Sequence, residues 1–305
     1  MADSAPIVGV AGLGKMGAPI ARRIAAAGYR VHGFDVDATR LGALIGAGVA
    51  PAASPAALGA ACDVVLLVLP TPDVGLTVAL GEHGLASVGR PGLVIDLATT
   101  GPDAEERLEA ELGRYGVRFI GCPVSGGPAG AEAGTLTLMA GGRAEDIAMA
   151  RPVLSTFGAP IVVGERPAQA QALKLLNNIL SLTNLVAAGE ALVYAAKIGL
   201  DPQVTLDVLN ASSGRNSATE TKIPRNVATG KFDFGMDVAL SLKDASLFLD
   251  AAHRQGVPTM VTSTVRDVLG EAVAAYGGSA DLTFAVKLLE ERGGAAFRWR
   301  EAAPL

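Results

Sequence analysis

Two groups of residues in this chain have types and spacings that can do chemistry. The first is Gly12-Leu13-Gly14-Lys15-Met16-Gly17, which follows an apolar run at residues 7–10 and opens an alanine-rich helical stretch. In that context Gly12 permits a tight turn, Gly14 lets a phosphate approach the backbone, and Gly17 lets the helix pack on the strand. The free N–H groups of a helix start then face a pyrophosphate. Asp35 ends the next apolar run, where a carboxylate accepts hydrogen bonds from ribose hydroxyls and repels a 2′-phosphate. Val36, not an arginine, follows it, so the site reads as a dinucleotide site that prefers NAD. Two alternatives stay open: Asp35 simply caps the following helix, or Arg40 admits NADP.

The second group is Lys174 and Asn178, four residues apart in an apolar stretch of helical period. Their amine and carboxamide project from one helix face, and Asn177, Ser181 and Asn184 extend them into a polar stripe. Such a stripe is either a solvated face or the border of a cleft. In a cleft the lysine fits proton transfer. Whenever hydride leaves or reaches a carbon bearing oxygen, a proton must also move, and an ammonium can give it or a neutral amine take it. A free lysine has a pKa of about 10.4, and burial beside an oxidised nicotinamide is expected to lower it. Asn178 then holds the substrate hydroxyl or carboxylate without adding charge. Ser125, Gly126 and Gly127 offer a hydroxyl and close N–H groups, either a carboxylate cradle or an ordinary flexible turn.

The elements that must position these groups alternate through the first half of the chain. Strand-like runs at 7–10, 30–34, 64–69, 93–96 and 117–120 are separated by helical stretches at 18–27, 40–46, 72–80 and 102–113. Further strands are expected at 135–140 and 160–163, flanking a helix at 144–157. Strands that are apolar throughout belong to parallel sheets covered on both faces, so this rhythm predicts an α/β, doubly wound, mostly parallel sheet. Leu69 and Pro70, with Thr71-Pro72, follow one such strand on the carboxyl side of the sheet, as either a cofactor-lining loop or a simple turn. Beyond Arg166-Pro167 the period is helical: 168–197, 202–210, 219–229, 238–255, 258–275 and 282–292. The expected division is a dinucleotide-binding domain at 1–166 and an all-α domain at 167–305 that serves substrate binding and oligomerisation.

Composition narrows the function. Of 305 residues, 50% are apolar and 18% charged, with a net charge of -5, so two cores are affordable and no basic run suits a nucleic acid. Cys62 and Cys122 offer no disulfide framework, which fits a reducing cytoplasm. Despite a mean hydropathy of +0.38, the most apolar stretch, 173–198, carries Lys174, Glu190 and three asparagines. It is expected to be a buried helix, not a membrane span. There is no HExxH, CxxC or Cys/His cluster, His32, His83 and His253 are scattered, and no metal is expected.

The chain resembles the β-hydroxyacid dehydrogenase family over nearly its whole length, on separated motifs in order. They are Gly12–Gly17, Asp96-Leu97-Ala98-Thr99-Thr100-Gly101-Pro102, Pro123-Val124-Ser125-Gly126-Gly127, Lys174-Leu175-Leu176-Asn177-Asn178, and Lys243-Asp244. Ala98 departs from a usual serine while Thr99 is kept. Gly121-Cys122 replaces a usual Asp-Ala, which removes an acid near the substrate loop. The resemblance implies a Rossmann-type domain followed by helices, with Thr99 beside the nicotinamide, Ser125–Gly127 and Asn178 on the substrate, and Lys174 as general acid and base. It points Lys243 toward the cofactor, against the alternative of a surface lysine paired with Asp244, and makes Arg215 a partner for an anionic group.

The implied activity is hydride transfer between NAD, with NADP open, and a short β-hydroxy acid of the 3-hydroxyisobutyrate kind or its semialdehyde. Alternatives are an imine reductase, a succinic or tartronate semialdehyde reductase, or a dinucleotide-bound sensor without turnover. The partners expected are this small substrate and further copies of the chain, as a dimer or tetramer, with no nucleic acid and no membrane.

Overall fold

The computed structural model describes residues 5–88 and 91–299, and its chain divides into two compact units at Lys174 and Leu175. In the first unit the strands are β1 (Val8–Ala11), β2 (Val31–Phe34), β3 (Val49–Pro51), β4 (Val64–Leu67), β5 (Leu93–Asp96), β6 (Arg118–Gly121), β7 (Val124–Ser125), β8 (Leu136–Gly141) and β9 (Gly158–Gly164). They form one sheet in the order β3-β2-β1-β4-β5-β6-β8-β7, with β9 paired to β8. Pairing is parallel from β3 through β6, antiparallel at β6–β8 and β7–β8, and parallel again at β8–β9. The mostly parallel, doubly wound sheet is therefore present.

Its strands are apolar throughout because both faces are covered. Along β4, Val64 and Leu66 enter one core while Val65 and Leu67 enter the opposite one. The connecting helices are α1 (Gly17–Ala26), α2 (Ala38–Ile45), α3 (Pro55–Ala61), α4 (Pro72–Leu80), α5 (Pro102–Arg114), α6 (Gly127–Ala133) and α7 (Ala144–Leu154). Short β3, α3, β7 and α6 are elements that the periodicity of the sequence does not reveal. Ser54 starts α3 by accepting from Ala57 N–H, and Pro55 fits its first turn.

Helix α8 (Pro167–Lys197) begins where the sequence placed its domain boundary, yet the compact units divide about two turns later. By length and a mean hydropathy of 1.5 it could cross a membrane, although every stretch of 18 residues in it includes Lys174 or Glu190. One face of it has other partners, since Ile179, Leu182, Leu185 and Leu192 pack into a helical core. That core is completed by α9 (Pro202–Ala211), a π-helical segment (Ala218–Val227), α10 (Val238–Arg254), α11 (Met260–Tyr276) and α12 (Phe284–Gly293). The segment after α12 is pinned by Glu290, which accepts from Phe297 N–H at 3.0 Å and pairs with both Nη atoms of Arg298.

Candidate active site

The glycine loop sits at the carboxyl end of β1, and its three glycines have different geometric reasons. Gly12 has φ +93°, and a Cβ there would stand 2.3 Å from the Val68 carbonyl oxygen. A Cβ on Gly17 would stand 1.8 Å from the Gly12 carbonyl oxygen, so α1 can start here only with glycine. Around Gly14 the space is open, its nearest neighbour being the Arg40 guanidinium at 3.7 Å. Two positions thus serve the turn and the packing, and the third leaves room for a ligand over the helix start. Leu13 is buried, Lys15 exposed and Met16 half-buried.

Asp35 ties this loop to the end of β2. Its Oδ2 accepts from Leu13 N–H at 2.7 Å and its Oδ1 from Asp37 N–H at 2.9 Å. The cap of α2 is Asp37, which accepts from Thr39 N–H, so the helix-cap alternative for Asp35 is set aside. A carboxylate has about four acceptor sites, and Asp35 retains capacity for a ribose. Arg40 is already engaged, 3.6 Å from Asp35 and 3.3 Å from Asp37. Leu69 packs beside Gly12, Pro70 is exposed, and Thr71 caps α4 by accepting from Val74 N–H. The loop is thus both a helix start and a neighbour of the glycine turn.

Beyond β5 the chain is held by a buried polar network. Asp96 accepts from Ala98 N–H at 2.9 Å, and Thr100 Oγ donates to Glu105 Oε1 at 2.9 Å. Gln171 on α8 donates to Glu105 Oε1 at 2.7 Å and to the Ala98 carbonyl at 2.9 Å. Its own carbonyl accepts from Thr100 N–H at 3.1 Å and Gly101 N–H at 3.3 Å. This clamps the turn bearing half-buried Thr99 to the helix bearing Lys174. Burial first, then the charge of Asp96, push the Glu105 carboxyl well above the ordinary glutamate range.

Glu105 also answers the departure at Gly121. A Cβ on Gly121 would lie 3.0 Å from Glu105 Oε2, a buried oxygen without a hydrogen-bond partner, and 2.8 Å from the Pro167 carbonyl oxygen. The space that a side chain at residue 121 would need is therefore taken by the buried Glu105 of α5 and the Pro167 backbone. Downstream, half-buried Ser125 ends β7, and the exposed Gly126 and Gly127 lead straight into α6. The Ser-Gly-Gly run is thus a strand-to-helix junction.

On α8, Lys174 is only 8% exposed, which excludes a freely solvated face at that position. One turn on, Asn178 Nδ2 donates to Asp244 Oδ2 at 2.7 Å, and its own Oδ1 accepts from Asn177 at 3.1 Å. Lys243 Nζ lies 3.1 Å from Asp244 Oδ1 as an ion pair rather than an aligned hydrogen bond, with its side chain 22% exposed. Asp244 is accordingly paired with Lys243, as one sequence alternative had it, although that lysine is not a surface residue.

Two family models cover nearly all of the chain. The NAD binding domain of 6-phosphogluconate dehydrogenase matches residues 7–164, and the NAD-binding region of NADP-dependent 3-hydroxyisobutyrate dehydrogenase matches residues 168–289. The 2-(hydroxymethyl)glutarate dehydrogenase of Eubacterium barkeri is 32% identical over 289 residues, 94% of this chain and 96% of that protein. The chain belongs to the β-hydroxyacid dehydrogenase family. Among solved structures, the Mycobacterium tuberculosis 3-hydroxyisobutyrate dehydrogenase with L-serine has a TM-score of 0.84 at 31% identity, covering 94% of this chain and 99% of that one. A Streptomyces aurantiacus imine reductase, 20% identical with a TM-score of 0.62 over 93% of this chain and 99% of its own, shares the fold.

This β-hydroxyacid dehydrogenase is thus an NAD(P)-dependent oxidoreductase acting on the CH–OH group of hydroxy acids. The open space at Gly14 and the acceptor capacity of Asp35 fit that cofactor. Sequence reasoning passed over three residues of the dehydrogenase. Glu105 reads as one more acid in the first turns of α5, and Gln171 as a polar position among alanines. Lys222 reads as one cation among the charges of its segment, yet it is 6% exposed. Arg215, expected to partner an anionic group, is exposed and pairs with Glu220 at 2.6 Å.

Proposed function

We propose that this enzyme interconverts a short β-hydroxy acid of the 3-hydroxyisobutyrate kind and its semialdehyde, with Lys174 as general acid and base. Bound NAD supplies the hydride acceptor in oxidation and, reduced, the donor in the reverse direction. In oxidation the neutral Lys174 amine takes the hydroxyl proton as the C–H bond breaks, and in reduction its ammonium returns that proton to the forming alkoxide. The observation that carries this reading is the burial of Lys174 between two anchored neighbours of the same helix, Gln171 one turn before and Asn178 one turn after. Ser125, Gly126 and Gly127 supply donors for the substrate carboxylate. Gly12–Gly17, Asp35, Leu69, Pro70, Thr99 and Lys243 serve the cofactor.

The test is a panel of hydroxy acids, semialdehydes and imines, assayed with NAD and NADP in parallel at the absorbance band of the reduced cofactor. Turnover of a short β-hydroxy acid is expected, with NAD preferred. Turnover of imines alone, or of nothing in the panel, overturns the reading.

The same proposal includes a homodimer or homotetramer in the cytoplasm. Leu173, Leu176 and Leu180, spaced along one side of α8, are 40%, 47% and 63% exposed and form an apolar stripe suited to a second copy. A monomeric mass by light scattering rejects the oligomer. Both cysteines are free and buried, which suits a reducing compartment.

A further inference from the structure

Lys222 lies in the π-helical segment, and backbone of this kind recurs at functional sites. Its ammonium donates to Ser181 Oγ at 2.8 Å and to Ser217 Oγ at 3.3 Å, and sits 5.4 Å from the centroid of the Phe234 ring. Among the described residues no carboxylate pairs with it, and burial alone lowers its pKa. A buried ammonium without an anion is costly, and two hydroxyls and a ring face offset that only in part. Two of the residues around it reach the surface, Ser217 being exposed and Phe234 40% exposed.

The position along α8 gives this amine a role. Ser181 stands three residues after Asn178 and seven after Lys174, so all three share one face of the helix. Seven residues span about 10 Å of helix, which sets Lys222 apart from the group that handles the proton. We infer that Lys222, with Ser181 and Ser217, binds an anionic group of the substrate remote from the reacting carbon, and that the preferred substrates are hydroxy acids with a second acidic group. This rests on the assignment of Lys174 to the reacting end.

Calorimetric titration of the NAD-loaded enzyme with two inert probes, glutarate and butyrate, tests the site apart from turnover. Glutarate is expected to bind at least tenfold more tightly. Lys222→Met should abolish that preference and Lys222→Arg keep it. In parallel, the kcat/KM ratio of 2-(hydroxymethyl)glutarate over 3-hydroxyisobutyrate should fall at least tenfold in Lys222→Met, through KM. Wild-type enzyme that binds glutarate no better than butyrate overturns the inference whether or not the variants fold, as does a preference that survives in Lys222→Met. Failure to turn over either hydroxy acid counts against the assigned reaction, while the titration still decides the anion site.

Discussion

Gln171 Nε2 and Glu105 Oε1 stand 2.7 Å apart, joining the first turns of α8 to α5 beneath the turn that carries Thr99. Both side chains are completely buried, so neither can replace the other with water. Gln171→Ala is therefore expected to destabilise the protein by about 1–3 kcal/mol, the cost of leaving buried partners unsatisfied. It should also lower kcat by roughly 10–100-fold, because Lys174 sits one turn further along the same helix. Thermal unfolding and steady-state kinetics read the two effects, and a variant with wild-type kcat would remove the positioning role.

Glu105 makes stability depend on pH in a defined direction. Its carboxyl is held protonated well above its ordinary value of 4.5, so its contribution is fully present below that value and is lost as pH rises through the folded-state value. Glu105→Gln keeps the shape and removes the titration. The variant should gain stability relative to wild type as pH rises from about 5 to 9, the interval above the usual glutamate range. Paired urea melts across that range check this, and a constant difference would show that Glu105 does not titrate there.

Lys174→Ala should raise the activation barrier by at least about 3 kcal/mol, more than a hundredfold in kcat/KM, with NAD affinity nearly unchanged. Fluorescence titration of NADH and initial rates separate the two. Activity within tenfold of wild type contradicts the proton-transfer role.

The two glycines of the nucleotide loop should respond oppositely to alanine. Gly17→Ala forces a methyl into the Gly12 carbonyl, and a loss of about 2–3 kcal/mol or failure to fold is expected. Gly14→Ala meets nothing closer than the Arg40 side chain, so its melting temperature should hold while the Kd for NAD rises by about tenfold or more, roughly 1.4 kcal/mol. Equal effects of the two substitutions would contradict a phosphate cradle at Gly14.

Asp35→Ser removes the carboxylate that opposes a 2′-phosphate and releases Arg40 from one of its two acidic partners. The ratio of kcat/KM with NADP to that with NAD should rise by at least about tenfold, the equivalent of about 1.4 kcal/mol. An unchanged ratio would assign cofactor choice elsewhere.

Much of the fold was legible because periodicity is local. The runs that became β1, β2, β4 and β5, and the long helix carrying Lys174 and Asn178, were found to within a residue or two at most ends. The two- and three-residue strands β7 and β3 and the seven-residue helices α3 and α6 escaped because each holds less than two repeats of its own pattern. Arg215 shows a local partner that was not read from the sequence: a glutamate five residues on lies near enough to pair with it.

By itself the sequence determined the doubly wound sheet, the glycine loop with its acid at Asp35, and the amine–carboxamide pair one turn apart on a helix. Each of these depends on spacing within a single element or between successive ones. Only the tertiary structure decided that Glu105 fills the space beside Gly121, that Gln171 clamps the Thr99 turn, and that Lys222 rests on Ser181. Those partners stand 66 residues apart for Gln171 and Glu105 and 41 for Lys222 and Ser181. At such separations no backbone period relates two side chains. Their meeting follows from how sheet and helices pack, which brings polar groups from distant parts of the chain together and pairs most of those it buries.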